Sequence, residues 1–431
     1  MKSLKIYNYL LYAEHIEQYV KKSFHKNKLF DLCQHKIPLI QFDSDKKRLA
    51  KILTRAISKE TYTISPPKLR WIYNKDKIRA IYDYYLVDKI VLKVFAQFLN
   101  ELYQPFISQN VYSFQKGVSS RKPVNHFSQF IKEQRKKNQV HGVYILKVDI
   151  KSYSDSIYLG KHSTLWPRLN AFLETILKPY ALNLIQQMVR PTYINDQGQL
   201  QTNILGIPTG SPISNFIYNF YCAPIDDLFS RQPDLFYARY GDDILLAHPD
   251  GNHLRHLRVL LDNEIANLSL IINSKKNIEC YFSPAGNQGA CLGYQGRNAL
   301  DYLGYRIDGY GRITLCEKRK RSLLRALNKR IADMYHLLKN KQVDRTTLIR
   351  LLCNTVNVAL DEKDLIQGEL QLLIYSSTDQ GQLKHLDYLI ALNIASRVTG
   401  IKGARAFAKL PYKTLRAEFN LKSLVNLRNK K

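Results

Sequence analysis

Apolar residues recur at helical spacing in some parts of this chain and as short, strand-like runs in others. The change from one pattern to the other divides the chain into three parts. In residues 1–60, Leu, Ile and Tyr recur at helical spacing among many lysines, which predicts helices. From Thr61 onward, short apolar runs alternate with helical stretches, and the Pro66-Pro67 pair excludes a helix from the first of these segments. From Ser322 the helical period returns. The pattern predicts an α+β centre between two helical parts, which we assign to residues 1–60, 61–310 and 311–431.

Three segments of the centre carry the clearest helix and strand signals. Residues 83–103 have apolar side chains at a helical period, which predicts a helix. The apolar run from Val143 to Val148 predicts a buried strand that ends at Asp149. The short apolar runs Phe236–Tyr240 and Ile244–Ala247 flank Gly-Asp-Asp, so they predict a β-hairpin with the acids at its tip.

The C-terminal part begins with a short strand and continues as helix. Tyr302 to Ile307 predicts the strand, and a basic run from Lys318 to Arg321 follows it. Apolar residues then recur at helical spacing from Leu324 to Leu338. A further helix is predicted from Leu383 to Gly400, because glycine commonly ends helices.

The net charge narrows the choice of partner. The 431 residues include 65 Lys and Arg against 36 Asp and Glu, a formal charge of +29, which favours a polyanion. A hydrophobic content of 45% excludes a mainly disordered chain. No window approaches the ~18 apolar residues that a membrane-spanning helix needs, and the N-terminus lacks the features of a signal peptide. We therefore expect nucleic acid rather than a membrane as the partner. The six cysteines form no CxxC pair, which indicates neither a disulfide framework nor a zinc site, so we expect a reducing, cytoplasmic location.

Three aspartates at strand ends are the candidate catalytic residues: Asp149, Asp242 and Asp243. Carboxylates are hard oxygen ligands that suit Mg²⁺. Two such ions about 3.5–4 Å apart activate an attacking hydroxyl and stabilise a leaving pyrophosphate. A Gly-Asp-Asp sequence is also common in ordinary turns, because Gly and Asp dominate turns. The surrounding segments therefore decide between a metal site and a simple turn.

The segment from Gly206 to Phe229 lies between the two acidic strands and favours the catalytic interpretation. Its two glycines and two prolines predict a tight loop, which a helix follows. A glycine-rich loop at a helix N-terminus lets backbone approach a nucleotide closely. The basic run Lys318–Arg321 fits phosphate contacts in so basic a chain, although charge runs are often only solvated faces.

Taken in order, these segments resemble the motifs of reverse transcriptases, specifically the prokaryotic group that includes retron and group II intron enzymes. VDIKSYSDSI is similar to the first catalytic motif, GIPTGSPIS to the second, YGDD to the third, LSLIINSKKN to the fourth and YLGYRI to the primer-grip hairpin. Upstream, IRAIYDYYLVDKIVLKVFAQFL and LYQPFISQNVYSFQKG resemble the fingers motifs. The resemblance covers residues 62–307 and implies a right-hand polymerase fold, with fingers, a palm containing an antiparallel sheet, and a helical thumb. A helical N-terminal extension precedes it.

The resemblance also implies roles for single residues. Asp149 and Asp242 match the metal-binding carboxylates, Asp243 is the accompanying acid, and the Ile150 carbonyl matches a backbone metal ligand. The implied nucleotide-binding residues are Lys77, Arg79, Tyr153, Ser154, Thr209, Gly210, Ser211 and Lys276. The implied nucleic-acid contacts are Tyr302, Leu303, Gly304, Lys318, Arg319, Lys320 and Arg321.

Three positions depart from the family pattern. Thr209 stands where the family usually has Gln, and Gly241 where Ala or Val is usual. Ser154 stands where the family has Phe or Tyr, whose ring packs under the incoming sugar and leaves no room for a 2′-hydroxyl. We therefore expect weaker rejection of ribonucleotides. Tyr153 should point to the opposite face of an extended segment, unless a local bulge turns its ring into the space at Ser154.

The implied activity is RNA-directed DNA polymerisation, a nucleotidyl transfer with two Mg²⁺ ions, for which Mn²⁺ is a substitute. Its partners are an RNA template, deoxynucleoside triphosphates and the DNA product. We expect no endonuclease, maturase or protease segment after the thumb, and the chain most resembles stand-alone reverse transcriptases of phage defence. We therefore expect an associated non-coding RNA and a role in antiviral defence. Three alternatives remain open: a retron-type enzyme that makes RNA-linked DNA, an RNA-dependent RNA polymerase, and a non-catalytic RNA-binding protein on a polymerase fold.

Overall fold

The N-terminal residues form helices, as their apolar period predicted. The computed structural model describes residues 2–24, 45–74, 77–137, 142–207, 210–283, 291–361 and 380–429. A 3₁₀ helix over Lys2–Tyr7 precedes helices α1 (Tyr9–Phe24) and α2 (Lys46–Ser58), which pack against each other. The 3₁₀ helix supplies the fully buried side chain of Ile6, and α1 supplies that of Tyr12.

A four-stranded sheet follows the N-terminal helices. Strands β1 (Lys68–Asn74) and β2 (Lys77–Asp83) form an antiparallel hairpin, while β4 (Thr192–Ile194) and β5 (Leu200–Thr202) form a second one. The strand order is β2-β1-β4-β5. Helix α3 (Leu86–Tyr103) confirms the helix predicted for residues 83–103, and it is buried along most of its length because its apolar residues cover more than one face.

A five-stranded sheet carries the acidic strand ends, in the order Phe236–Tyr240 (β6), Asp243–His248 (β7), Val143–Asp149 (β3), Ile278–Phe282 (β8) and Gln295–Gly296 (β9). Strand β3 (Val143–Asp149) is central, which explains why its sequence is almost continuously apolar instead of alternating. The predicted hairpin is confirmed, because β6 (Phe236–Tyr240) and β7 (Asp243–His248) are neighbours joined by a two-residue turn. The remaining members are β8 (Ile278–Phe282) and β9 (Gln295–Gly296). The connecting helices are α4 (Arg121–Lys137), α5 (Tyr153–Ser156), α6 (Leu165–Leu173), α7 (Pro179–Val189), α8 (Ser214–Tyr221), α9 (Ala223–Phe229) and α10 (Gly251–Asn267).

The C-terminal part differs from the prediction in two places. Residues 302–307 are not one strand, because they contain the turn of a hairpin between β10 (Ala299–Tyr302) and β11 (Tyr305–Asp308), which β12 (Ile313–Leu315) extends. The hairpin implied by the family resemblance of this segment is thus confirmed. The long helix α11 (Glu317–Asn340) begins five residues before Ser322, so the basic run forms its first turns. The remaining helices are α12 (Arg345–Asp361), α13 (Gln380–Thr399), α14 (Ala406–Lys409), α15 (Tyr412–Ala417) and α16 (Leu424–Asn429). The predicted end of α13 is confirmed, because Gly400 has φ +71°.

The chain forms two compact units. One comprises Met1–Val118, Leu146–Leu246 and His253–Ile278, and it contains the three candidate aspartates. The other comprises Ser119–Ile145, Ala247–Asn252 and Glu279–Lys431, and it contains the C-terminal helices. The α+β class is confirmed, while the three-part division at residues 60 and 310 stays a prediction. Among the described residues, no helix is both long and apolar enough to cross a membrane.

Candidate active site

Two strand ends bring the three aspartates to one place. Asp149 is the last residue of β3, while Asp242 lies in the turn before β7 and Asp243 is the first residue of that strand. Gly241 has φ +67°, a conformation that glycine adopts without strain, so the turn between β6 and β7 is tight. The Ile150 N–H donates a hydrogen bond to the Asp242 carbonyl at 3.1 Å, which ties the end of β3 to the acidic turn.

The Asp149 carboxylate is almost completely buried, and two side chains from one later segment bind it. Lys276 Nζ lies 2.8 Å from one carboxylate oxygen, and Asn273 Nδ2 donates to the other at 2.9 Å. The Asn273 N–H also donates to the Asp149 carbonyl at 2.8 Å. The hydrogen bond with Asp149 raises the pKa of Lys276, so the lysine is protonated and balances the charge of this carboxylate. The sequence had marked Lys276 but not Asn273.

The other two carboxylates are less fully neutralised. Burial and the Asp149 charge raise the pKa of Asp242, although Lys276 and Lys147 act in the opposite direction. Burial likewise raises the pKa of Asp243, which Lys147 opposes from a distance of 3.7 Å. The site therefore holds several negative charges in partly buried positions, an arrangement that a bound cation would stabilise.

These residues fit a divalent metal ion whose remaining ligands come from a bound substrate. Within the described segments, no three His, Cys, Asp or Glu side chains are grouped so as to hold an ion by themselves. Mg²⁺ in phosphate-transfer enzymes is usually held by one or two carboxylates together with phosphate oxygens and water. Asp149 and Asp242 supply two hard carboxylate groups of this kind, and Lys276 would have to share Asp149 with the ion.

The glycine-rich loop is fastened to the segment that follows Asp149. The Gly206 N–H donates to the Ile157 carbonyl and the Ile207 N–H to the Ser154 carbonyl, both at 2.8 Å. Gly206 has φ +80°, and a Cβ there would lie 3.0 Å from the Asp155 Cα, so only glycine fits this approach. The loop's position is therefore set by backbone contacts.

Two of the three predicted loop residues can be described. Gly210 is exposed and has φ +83°. Ser211 is buried, and its hydroxyl has no hydrogen-bond partner within the described part of the chain. A buried hydroxyl of this kind is where a polar ligand atom would bind. Thr209 lies outside the described residues.

Tyr153 and Ser154 form a helical turn, so the extended segment expected there is wrong. Ser152 has φ +48°, and α5 follows it directly, which turns the chain instead of continuing the strand. Tyr153 is only 6% exposed. Its hydroxyl donates to the Tyr218 carbonyl at 2.6 Å and accepts from Cys222 Sγ at 3.1 Å. The ring of Tyr153 is thus held in the core, whereas Ser154 is half-buried.

A fully buried arginine supports the acidic turn, and sequence reasoning missed it. Arg239 donates to the Asp226 carboxylate through Nε at 2.8 Å and Nη2 at 2.6 Å, and its Nη1 lies 3.3 Å from the Gly241 carbonyl. The Tyr237 hydroxyl donates to the same carboxylate at 2.6 Å. Burial alone would lower the pKa of Arg239, but Asp226 holds it well above its ordinary value. The sequence did contain a signal for this residue, because Arg239 is the one charged residue in the otherwise apolar strand β6.

The remaining predicted residues lie elsewhere. Lys77 and Arg79 are in β2, and their side chains lie outside the described part of the structure. Of the predicted nucleic-acid contacts, Tyr302 is fully buried, while Leu303 and Gly304 form the turn between β10 and β11. In the basic run, Arg319 lies over the Tyr305 ring and Lys320 pairs with Glu317. Lys318 and Arg321 are the exposed members of this run.

Comparisons with known proteins identify a family. Residues 44–307, well over half of the chain, match the model of the family described as reverse transcriptase (RNA-dependent DNA polymerase). No curated protein matches the sequence.

Solved structures of yeast telomerases are similar at low identity. Apo telomerase from Candida tropicalis, truncated from the C-terminal domain, has 14% identity and a TM-score of 0.45, over 59% of this chain and 56% of that one. Candida albicans telomerase in complex with a TWJ fragment of telomeric RNA has 13% identity and a TM-score of 0.45, over 88% and 66%. The chain thus spans less than two thirds of the length of either telomerase.

Proposed function

The chain belongs to the reverse transcriptase (RNA-dependent DNA polymerase) family, and on this premise we propose that it copies an associated non-coding RNA into DNA for antiviral defence in the cytoplasm. The enzyme class follows from the family: an RNA-directed DNA polymerase, which is a nucleotidyltransferase. The right-hand polymerase fold follows from it as well. Reverse transcriptase domains generally use divalent metal ions; that the ion here is Mg²⁺ is part of the proposal.

The observation that carries the catalytic assignment is the joining of Asp149 and Asp242 at two strand ends, with Lys276 and Asn273 on the Asp149 carboxylate. In the proposal, Asp149 and Asp242 hold the ion, together with the Ile150 carbonyl. When bound, Mg²⁺ activates the attacking hydroxyl and stabilises the leaving pyrophosphate. Asn273 orients Asp149, and Lys276 keeps a proton on Nζ that balances the carboxylate charge.

The nucleotide would lie against the loop that contains Gly210 and Ser211. The unpartnered Ser211 hydroxyl supports this, because it offers a hydrogen bond that no described residue uses. Lys77 and Arg79 are proposed to hold the triphosphate. The net charge of +29 supports a long nucleic-acid partner, because phosphates neutralise such an excess. The resemblance of the motifs to stand-alone defence enzymes supports the antiviral role.

Primer extension on an RNA template tests the catalytic assignment. We expect DNA synthesis from deoxynucleotides with Mg²⁺, and no synthesis by Asp149→Asn or Asp242→Asn, because each amide removes a negative ligand charge. Asp262→Asn is the matched control, since Asp262 pairs with Arg258 on α10. An Asp242→Asn enzyme that extends primers at the wild-type rate would show that the acidic turn is not catalytic.

The second experiment concerns the partner. The protein is purified from its host, and the nucleic acid that accompanies it is sequenced. One strongly enriched RNA, with DNA complementary to part of it, is expected. DNA joined covalently to that RNA would favour the retron alternative, and products built from ribonucleotides would favour an RNA polymerase. RNA in proportion to its cellular abundance would contradict a dedicated template.

A further inference from the structure

Tyr218 places an aromatic ring beside the serine that departs from the family pattern. It lies on α8, the helix that follows the glycine-rich loop. Its ring centroid is 5.6 Å from that of Tyr153 and 5.3 Å from that of Phe114. Its helix neighbours Ile217 and Asn219 are buried, whereas Tyr218 is partly exposed. The ring is therefore held between two other rings while part of it stays open to solvent.

The electrostatics of the Tyr218 hydroxyl involve Ser154. Burial raises the pKa of Tyr218, and hydrogen bonds with the hydroxyls of Ser214 and Ser154 act in the opposite direction. The phenol is therefore neutral at physiological pH. The Ser154 hydroxyl itself donates a hydrogen bond to the neighbouring Asp155 carboxylate at 3.2 Å.

Backbone hydrogen bonds hold this group together. The Tyr153 hydroxyl donates to the Tyr218 carbonyl, and the Ser154 carbonyl accepts from the Ile207 N–H. Because Tyr153 is buried and its hydroxyl is engaged, its ring cannot turn into the space at Ser154 without breaking these contacts.

We propose that Tyr218 takes the place of the aromatic residue missing at Ser154, and that its phenol ring excludes the 2′-hydroxyl of an incoming ribonucleotide. The proposal rests on the polymerase function given above, and it names the residue that makes the enzyme select deoxynucleotides over ribonucleotides. It replaces the expectation that Ser154 weakens the rejection of ribonucleotides. The ring comes from the helix after the glycine-rich loop instead of from the segment after the first catalytic aspartate.

The test is the ratio of kcat/KM for a matched deoxynucleotide and ribonucleotide pair. We expect the wild type to prefer the deoxynucleotide, and Tyr218→Ala to lower this preference by about tenfold or more, because the excluding ring is gone. Tyr218→Phe keeps the ring and should keep the preference. Asn215→Ala, an exposed position on the same helix, is the control and should leave the ratio unchanged.

A double variant that moves the aromatic ring from position 218 to position 154 tests whether the ring itself is responsible for the preference. Ser154→Phe combined with Tyr218→Ala should recover most of the lost preference, because the ring returns to the family's position. Tyr218→Leu, which retains apolar volume without a ring, is the second variant if Tyr218→Ala folds poorly, and the same loss is expected.

Two results would contradict the proposal, and they differ from a failure of the polymerase assignment. Tyr218→Ala and Tyr218→Leu enzymes that extend primers with the wild-type ratio would overturn the role of Tyr218. A loss of preference in Tyr153→Ala, with none in Tyr218→Ala, would assign the ring to Tyr153 instead. A wild type that incorporates no nucleotide at all would overturn the polymerase function on which the proposal rests.

Discussion

Arg239 places a full charge inside a strand whose other residues are apolar, and the carboxylate of Asp226 stabilises this buried charge. The guanidinium binds both carboxylate oxygens, and the carboxylate also accepts from Tyr237. Burying two charges costs several kcal/mol, which the pair offsets only with such complete hydrogen bonding. The extra contact with the Gly241 carbonyl connects this buried pair to the turn that carries Asp242 and Asp243.

Removing one partner of this pair should be strongly destabilising. We expect Arg239→Ala to lower the free energy of unfolding by about 3–5 kcal/mol, because the Asp226 carboxylate remains buried without its cation. Urea denaturation followed by circular dichroism measures the change. Arg239→Met with Asp226→Leu should recover most of the stability, since both charges are then absent. A loss below about 1 kcal/mol in Arg239→Ala would mean that water reaches the carboxylate.

At the scale of single elements, turn geometry determines where a hairpin forms, and the period of the apolar residues does not show this by itself. The acidic hairpin was predictable, because Gly-Asp-Asp between short apolar runs is a local signal. Periodicity did not predict the hairpin at residues 302–305, because Tyr302, Tyr305 and Ile307 are apolar like one short strand, and only the family resemblance implied it. Its turn has positive φ at both central positions, +49° at Leu303 and +85° at Gly304.

Gly304 is therefore a sensitive position for the β10–β11 hairpin. We expect Gly304→Ala to cost about 1–3 kcal/mol, because alanine is strained at this positive φ. Its Cβ would also lie 2.8 Å from the Arg319 guanidinium, which would have to move. The thermal unfolding midpoint should fall, whereas Gly309→Ala should have little effect. The Cβ added at Gly309 meets Phe282 Cβ at an ordinary 3.5 Å. Equal midpoints for the two variants would contradict this account.

At the scale of the whole molecule, the net charge of +29 sets how binding responds to salt. Each phosphate that a basic side chain neutralises contributes about 0.9 to the slope of log affinity against log salt concentration on duplexes. Cations engaged within the protein contribute less, since part of their charge is already balanced. Lys320, which pairs with Glu317, is such a cation, whereas Lys318 and Arg321 are more exposed.

Neutralising the exposed pair should flatten the salt dependence. We expect Lys318→Gln with Arg321→Gln to reduce the slope for structured RNA by up to about 2, without changing sequence preference. Lys320→Gln is the matched control and should reduce it less. Binding measured across a salt series by fluorescence anisotropy decides the matter. If the slope of the double variant equals that of the wild type, the basic run is only a solvated face.

The sequence by itself determined the local conformation of most elements and the order of the motifs. Strand β3, the acidic hairpin and the helix after the glycine-rich loop follow from residue periods and turn chemistry, which act over a few residues. The positions of Asp149, Asp242 and Asp243 at strand ends needed no tertiary information for the same reason. These local signals predicted which residues would carry the candidate site, but not what would lie against them.

Only the tertiary structure decided the partners of those residues. Asp149 meets Lys276 and Asn273 more than a hundred positions later, Arg239 meets Asp226, and Tyr153 meets Tyr218. Periodicity states that a side chain is buried, but it does not state which distant side chain covers it. Hydrogen bonds and ring contacts between segments far apart in the chain depend on how the elements pack together, and so they became visible only in the folded molecule.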